Sequence, residues 1–176
     1  MHLLLSTTLL RKFEPEDAPN LYRFRNAPEV ARGVGGFSSG YSLQAIKEWI
    51  DRRGKATDDL VWAIADRENN ACLGHVGLYQ IDHRVRACEF GILIGDSSRW
   101  GKGIGREVTS AIVAYGFDEL NMNRIELTVI ASNARAMSLY EGLGFVREGL
   151  KRQAQYRAGE YLDVILMSIL RSERQK

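Results

Sequence analysis

The chain has 176 residues, 45% of them hydrophobic and 26% charged, a balance that excludes disordered and fibrous classes and suits one domain over residues 1–176. Its 24 Lys and Arg against 22 Asp and Glu leave a net charge of +2, too small for a protein that grips nucleic acid through a strongly basic face. No stretch approaches the roughly 18 apolar residues of a membrane span, and Leu3-Leu4-Leu5, cut by Ser6-Thr7-Thr8, lacks the basic flank and cleavage site of a secretory leader.

In chain order, Thr7 to Phe13 predicts a first strand, and the acidic turn Glu14-Pro15-Glu16-Asp17 starts a helix that runs to about Asn26. Ala27-Pro28-Glu29 breaks it, and the glycine-rich stretch Arg32-Gly33-Val34-Gly35-Gly36-Phe37-Ser38-Ser39-Gly40 reads as a loop, either a plain connector or one that closes over a ligand. Leu43, Ile46, Trp49 and Ile50 recur at helical spacing up to Arg53. Leu60 to Ala65 and Cys72 to Ile81 form a hairpin about the polar turn Asp66–Asn70, and Ala87 to Ile94 adds a third meander strand. A helix from about Gly103 to Leu120 carries Ile104, Val108, Ala111, Ile112 and Tyr115 on one face. It leads to a strand at Arg124 to Ile130 and then to a helix capped by Ser132 or Asn133 that ends at Gly142 or Gly144. Phe145 to Tyr156 and Tyr161 to Leu170 close the chain as a hairpin about Arg157-Ala158-Gly159-Glu160. The expected class is α/β: a mixed, mostly antiparallel twisted sheet with about four helices.

Between the third meander strand and the long helix lies Arg99-Trp100-Gly101-Lys102-Gly103-Ile104-Gly105-Arg106. Alternate glycines let backbone N–H groups approach a ligand, and a helix starting here adds unpaired donors and a positive dipole end, so the stretch reads as a phosphate cradle. A Walker loop is excluded, because no Gly-x-x-x-x-Gly-Lys-Ser/Thr occurs. A dinucleotide fingerprint counted from Gly101 or Gly103 meets Arg106 or Val108 where its third glycine belongs.

Gly101-Lys102-Gly103-Ile104-Gly105 at a helix start resembles the pyrophosphate loop of the GNAT superfamily of acetyl-CoA-dependent N-acetyltransferases. Asn133-Ala134-Arg135-Ala136-Met137-Ser138-Leu139-Tyr140-Glu141-Gly142-Leu143-Gly144-Phe145 resembles that family's second signature. Leu10-Arg11-Lys12-Phe13 with Asp17, and Arg25-Asn26-Ala27-Pro28-Glu29-Val30, are similar to the branch of ribosomal-protein N-terminal and amino-sugar acetyltransferases. The likeness covers nearly the whole chain. It departs at Trp100, where the family's loop usually begins with Gln or Arg; Arg99 stands one step earlier and faces either the phosphates or solvent.

The resemblance implies an acetyl-CoA co-substrate, no metal, and transfer of an acetyl group to a primary amine of an amino sugar, a polyamine or a protein N-terminus. Such a reaction needs a neutral amine, a donor for the developing oxyanion and a proton for the leaving thiolate. Glu89 takes the base role by resemblance, against the alternative of a strand glutamate paired with Arg84 or Arg86. The main-chain N–H near Leu93 faces the oxyanion, with Ile92 and Ile94 pairing the pantetheine arm. Tyr140 resembles the tyrosine that protonates the thiolate, against a packed tyrosine with its hydroxyl satisfied. Asn133 caps its helix or bonds the cofactor arm, and Lys102 and Arg106 meet phosphates or stay solvated.

His2, His75 and His83 show no metal-ligand spacing, and Cys72 and Cys88 read as buried free thiols in a reducing cytoplasm. By analogy, Glu29, Arg32 to Tyr41 and the last hairpin, with Gln153, Gln155, Tyr156, Arg157 and Tyr161, border an acceptor groove. Exposed strand edges suggest a homodimer. A non-catalytic CoA-sensing module, which would tolerate loss of Glu89 and Tyr140, and a dinucleotide-binding oxidoreductase are the competing classes.

Overall fold

Alternating and fully apolar runs in the sequence become one eight-stranded sheet with order β1-β2-β3-β4-β5-β6-β8-β7. The structure, a computed structural model, describes residues 3–33 and 40–174. The strands are β1 (Leu3–Leu4), β2 (Thr8–Arg11), β3 (Leu60–Asp66), β4 (Cys72–Asp82), β5 (Ala87–Ile94), β6 (Arg124–Ile130), β7 (Val146–Arg157) and β8 (Glu160–Leu170). Every adjacent pair is antiparallel except β5 and β6. The strand predicted over Thr7 to Phe13 is the shorter β2, Thr8–Arg11, and Leu3–Leu4 folds back to pair with Leu10 and Leu9 in a hairpin absent from the sequence-based expectation.

The described residues form five α-helices rather than about four: α1 (Ala18–Asn26), α2 (Pro28–Gly33), α3 (Leu43–Lys55), α4 (Ile104–Asp118) and α5 (Ala134–Glu141). The additional one is α2. Ala27 is extended (ψ 123°), as a residue before proline prefers, so α1 stops there. Pro28 then serves as the first residue of a new helix, where its missing N–H costs nothing. Arg32 and Gly33, expected in a loop, therefore close α2, and the remainder of that glycine-rich stretch, 34–39, lies outside the described residues.

Two apolar layers sandwich the sheet. On one face α4 packs Ile104, Val108, Ile112 and Phe117 against Trp62, Ile64, Val76, Phe90, Ile125 and Leu127. On the other, α1 and α3 bury Leu21, Phe24 and Ile46 against Ala63, Cys72 and Leu93. Burial of a side chain such as Leu21 or Ile112, both fully inaccessible, is worth about 1.5–3 kcal/mol. Cys72 and Cys88 are free and buried, and burial pushes both thiols up to about 12. The α1–α3 layer is pinned by a buried ion pair: Arg11 on β2 donates two hydrogen bonds to Asp17 (2.7 and 2.8 Å) and reaches the β3–β4 turn at Asn70.

Candidate active site

The parallel ladder between β5 and β6 lasts only three rungs, Ala87 with Arg124, Cys88 with Ile125 and Glu89 with Glu126. Beyond Glu89 the strands part, while β5 stays paired to β4 as far as Ile94. The result is a fork in the sheet whose apex is the Glu89–Glu126 rung and whose one side is the main chain of Phe90 to Ile94. Unpaired strand N–H and C=O groups on such an edge offer a ladder to an extended ligand. At this fork the faces of β5 divide the labour: Phe90, Ile92 and Ile94 belong to the α4 layer and Leu93 to the α1–α3 layer, where alternation also places Glu89.

The cradle connects β5 to α4. Gly101 and Gly103 have φ of +81° and +83°, and a Cβ on either would meet nothing within 4 Å. Glycine is required here by backbone angle, and the space before it is open. Gly103 is the N-cap of α4, whose first main-chain hydrogen bond runs from Glu107 N to Gly103 O, so the N–H groups of Ile104, Gly105 and Arg106 have no intrahelical acceptor. Lys102 is exposed and makes no ion pair among the described residues.

The other basic residues of the stretch are committed elsewhere. Arg99, its side chain still a third exposed to solvent, forms an ion pair with Asp66 at the end of β3, a partner beyond the two choices the sequence left. Arg106 donates to the Gly142 carbonyl (3.1 Å) at the C-terminus of α5, tying the first signature to the second. Trp100 donates from Nε1 to the Ile94 carbonyl (2.8 Å), which takes up that main-chain acceptor.

On α5, Asn133 caps the helix, its Oδ1 accepting from Ala136 N at 3.1 Å, while its Nδ2 makes no hydrogen bond among the described residues. Tyr140 is buried, edge-on to Phe90 and tilted against Phe145, with ring centroids at 6.2 and 5.7 Å. Its hydroxyl has no hydrogen-bond partner among the described residues, and burial pushes it up to about 12. Tyr140 is thus packed, but its hydroxyl is not satisfied by protein among the described residues.

Glu89 is half-buried and forms no ion pair among the described residues; Arg86, a suggested partner, instead holds Asn121. Gln80 Nε2 donates to Glu89 Oε2 at 3.2 Å. Burial raises its carboxyl above the ordinary range, with Glu126 adding to the effect and Lys151 opposing it. Glu89 and Glu126 share a cavity of about 170 Å³ with Gln80, Asp82 and Val85.

Tyr79 was missed by the sequence reading. It sits opposite Glu89 on β4, and its ring lies across Gly77 and Gly91, where added Cβ atoms would come within 2.8 and 3.0 Å of it. The facing pair of strand glycines was the legible signal. Beyond it, Trp49 meets His75 edge-on (5.1 Å) and lies under Arg25 (4.5 Å). Of the expected groove residues, Tyr156 and Tyr161 pair at 4.9 Å at the tip of the last hairpin, and Gln153 N bonds Asp163 (2.7 Å). No group of three potential metal ligands occurs among the described residues.

The family model of the acetyltransferase (GNAT) domain matches residues 8–146. An uncharacterized N-acetyltransferase, p20, of Bacillus licheniformis is 31% identical over 166 residues, 93% of each chain. The spermidine N(1)-acetyltransferase of Vibrio cholerae is 36% identical over 132 residues, 75% of each chain. A crystal structure of a Vibrio cholerae spermidine N-acetyltransferase with CoA and spermine superposes with a TM-score of 0.85 at 27% identity, covering 96% of this chain and 98% of that one.

Proposed function

The chain belongs to the GNAT N-acetyltransferases, and from that premise we propose that it acetylates a primary amine of a small polyamine, with Glu89, the Leu93 main chain and Tyr140 carrying the chemistry. The observation that bears most weight is the Tyr140 hydroxyl, carried on a buried ring and without a protein partner among the described residues, on the helix that follows the forked strand β6. The cradle fits a diphosphate: an open space, three orphan N–H groups, a helix dipole and an uncommitted Lys102. Asn133 Nδ2 and the main chain of Phe90 to Leu93 suit the amide-bearing arm of the same co-substrate.

Acetyl-CoA, once bound, supplies an acetyl group already activated as a thioester. The residues around it handle two protons and one developing charge. Glu89, raised by burial, accepts the proton that the amine nitrogen sheds as the N–C bond forms. The N–H at Leu93 faces the negative charge that grows on the acyl oxygen. Tyr140, protonated throughout the working pH range, gives its proton to sulfur as the C–S bond breaks, and solvent restores both groups. Named relatives that act on spermidine support a polyamine acceptor. The two unpaired buried thiols support a reducing, cytoplasmic setting. The exposed edge strand β7, with Val146 52% and Leu150 54% accessible, supports a homodimer.

The test is thiol release from acetyl-CoA with spermidine, an amino sugar and an alanyl peptide as acceptors. Tyr140→Phe is expected to lower kcat by about 100-fold or more with acetyl-CoA affinity unchanged. Full turnover in that variant removes Tyr140 from the chemistry, and no thiol release with any amine overturns the enzymatic reading of this chain.

A further inference from the structure

The last rung before the fork holds two carboxylates side by side. In a parallel pair the partners of one rung point to the same face, so Glu89 and Glu126 both project toward the acceptor side and line one cavity. We propose that Glu126 is a positioning residue for the transfer reaction, an anion fixed beside Glu89 that makes Glu89 the stronger proton acceptor of the two. The inference rests on Glu89 being the base of the proposed acetyl transfer.

Three observations support it. First, Glu126 is held in place: Arg124 Nε and Nη2 both donate to Glu126 Oε2, at 3.0 and 2.8 Å. Second, the hold does not cancel its charge. Arg124 also pairs with Glu148, and Ser168 adds a hydroxyl to Glu148 at 2.7 Å, so one guanidinium serves two carboxylates and the group keeps a net negative charge beside Glu89. Third, Glu89 feels that charge, since Glu126 is the like-charged group that raises its carboxyl further after burial itself.

The surroundings of Glu89 are otherwise mild. From β4 it meets neutral Tyr79 and the Gln80 amide, with Asp82 at the far side of the cavity; Arg25 and Arg53 stand beyond Tyr79. From β7, Lys151 opposes the rise. Two carboxylates in adjacent positions with different partners separate into roles: the one bound by arginine is held in place, and the other, without an arginine, faces the cavity as the proton acceptor.

The experiment is the pH profile of kcat/KM for wild type, Glu126→Gln, Glu126→Asp and Glu89→Gln, with Glu89 titrated by ¹³C carboxyl NMR in the acceptor-free protein. Glu126→Gln keeps the shape and one acceptor for Arg124 while removing the charge. Its acidic limb and the Glu89 resonance are both expected to move to lower pH, and Glu126→Asp, which restores the charge, is expected to return both toward wild type. A limb and a resonance that stay put in a folded Glu126→Gln protein overturn the inference, as does an Asp variant that behaves like Gln. An acidic limb that survives in Glu89→Gln overturns instead the assignment of Glu89 as base, so the two failures are told apart.

Discussion

Replacing Gly103 by alanine separates what the cradle does for the fold from what it does for the ligand. Gly103 sits at φ +83° with no atom within 4 Å of an added Cβ, so the methyl meets no steric obstacle inside the protein. The cost to the free protein is the left-handed backbone alone, about 1 kcal/mol, or a fall of roughly 2–4 °C in Tm for a chain this size. The ligand loses more. A methyl in the open space before the first turn of α4 keeps a phosphate oxygen from the orphan N–H groups, and one charge-assisted hydrogen bond is worth about 1.5–3 kcal/mol, tenfold or more in affinity. At acetyl-CoA equal to about 100 times the wild-type Kd, the ligand stabilises the native protein by roughly 2.7 kcal/mol; a tenfold weaker variant retains about 1.4 kcal/mol. Thermal melts with and without acetyl-CoA, beside CoA, NADH and ATP, read both quantities. The control is Gly116→Ala, whose Cβ would come within 2.8 Å of Ile125 Cδ1 in the packing of α4 on the sheet and which is expected to change Tm without changing the ligand shift. A Gly103→Ala protein whose ligand shift equals wild type refutes the cradle, and stabilisation by NADH or ATP in place of acetyl-CoA refutes the phosphate loop as the site of CoA.

The Arg11–Asp17 pair is the fold's most deeply buried ion pair among the described residues, with side chains 6% and 4% accessible. Asp17→Asn leaves Arg11 facing a neutral amide and is expected to cost about 3–5 kcal/mol in urea unfolding; a loss under about 1 kcal/mol means the pair is not what anchors α1 to β2. Arg124 and Ser168 hold the Glu148 carboxyl down to about 2. A carboxyl lowered on folding adds stability at neutral pH that drains away as pH falls from the ordinary carboxylate range toward 2. Since Glu148 is about a third exposed, the contribution is held to about 1 kcal/mol or less, and Glu148→Gln is expected to be less stable than wild type at pH 6 and equal to it near pH 2. A difference that does not change with pH contradicts that reading.

Periodicity and turn chemistry sufficed for most elements. β5 and β6 fall at their expected bounds, and the two-residue turn at Ala158 and Gly159, with φ of +49° and +88°, matches a hairpin signal of small residues. What escaped were consequences of tertiary pairing. Leu3–Leu4 is too short to carry a period, and α2 was hidden because Pro28 both ends one helix and can start another. In the site, Arg99 illustrates the limit: its place beside the glycines suggests phosphate, but its partner Asp66 lies 33 residues away across a β-hairpin, and nothing local announces the pair. Arg106 likewise turns to Gly142. Charge near a loop is legible in a sequence, whereas the counter-charge that claims it is not.

The Glu89–Glu126 rung was nearer to legibility than any of these. A strand, helix, strand crossover makes β5 and β6 parallel neighbours, and parallel strands that start level pair third residue with third residue. Ala87-Cys88-Glu89 and Arg124-Ile125-Glu126 each end in glutamate at that place. The missing datum was how far the ladder runs. Had it continued through Ile94, the two glutamates would be one surface pair among several, screened by water and worth little. Because it stops at Glu89, the strands diverge into the fork, the main chain of Phe90 to Leu93 is free on that side to pair with an extended ligand, and the Glu89 carboxylate stands at the apex of the opening. The break in the sheet turns a strand glutamate into a candidate base, and the role proposed for its neighbour Glu126 depends on the same break, since an uninterrupted ladder would leave no opening beside the pair.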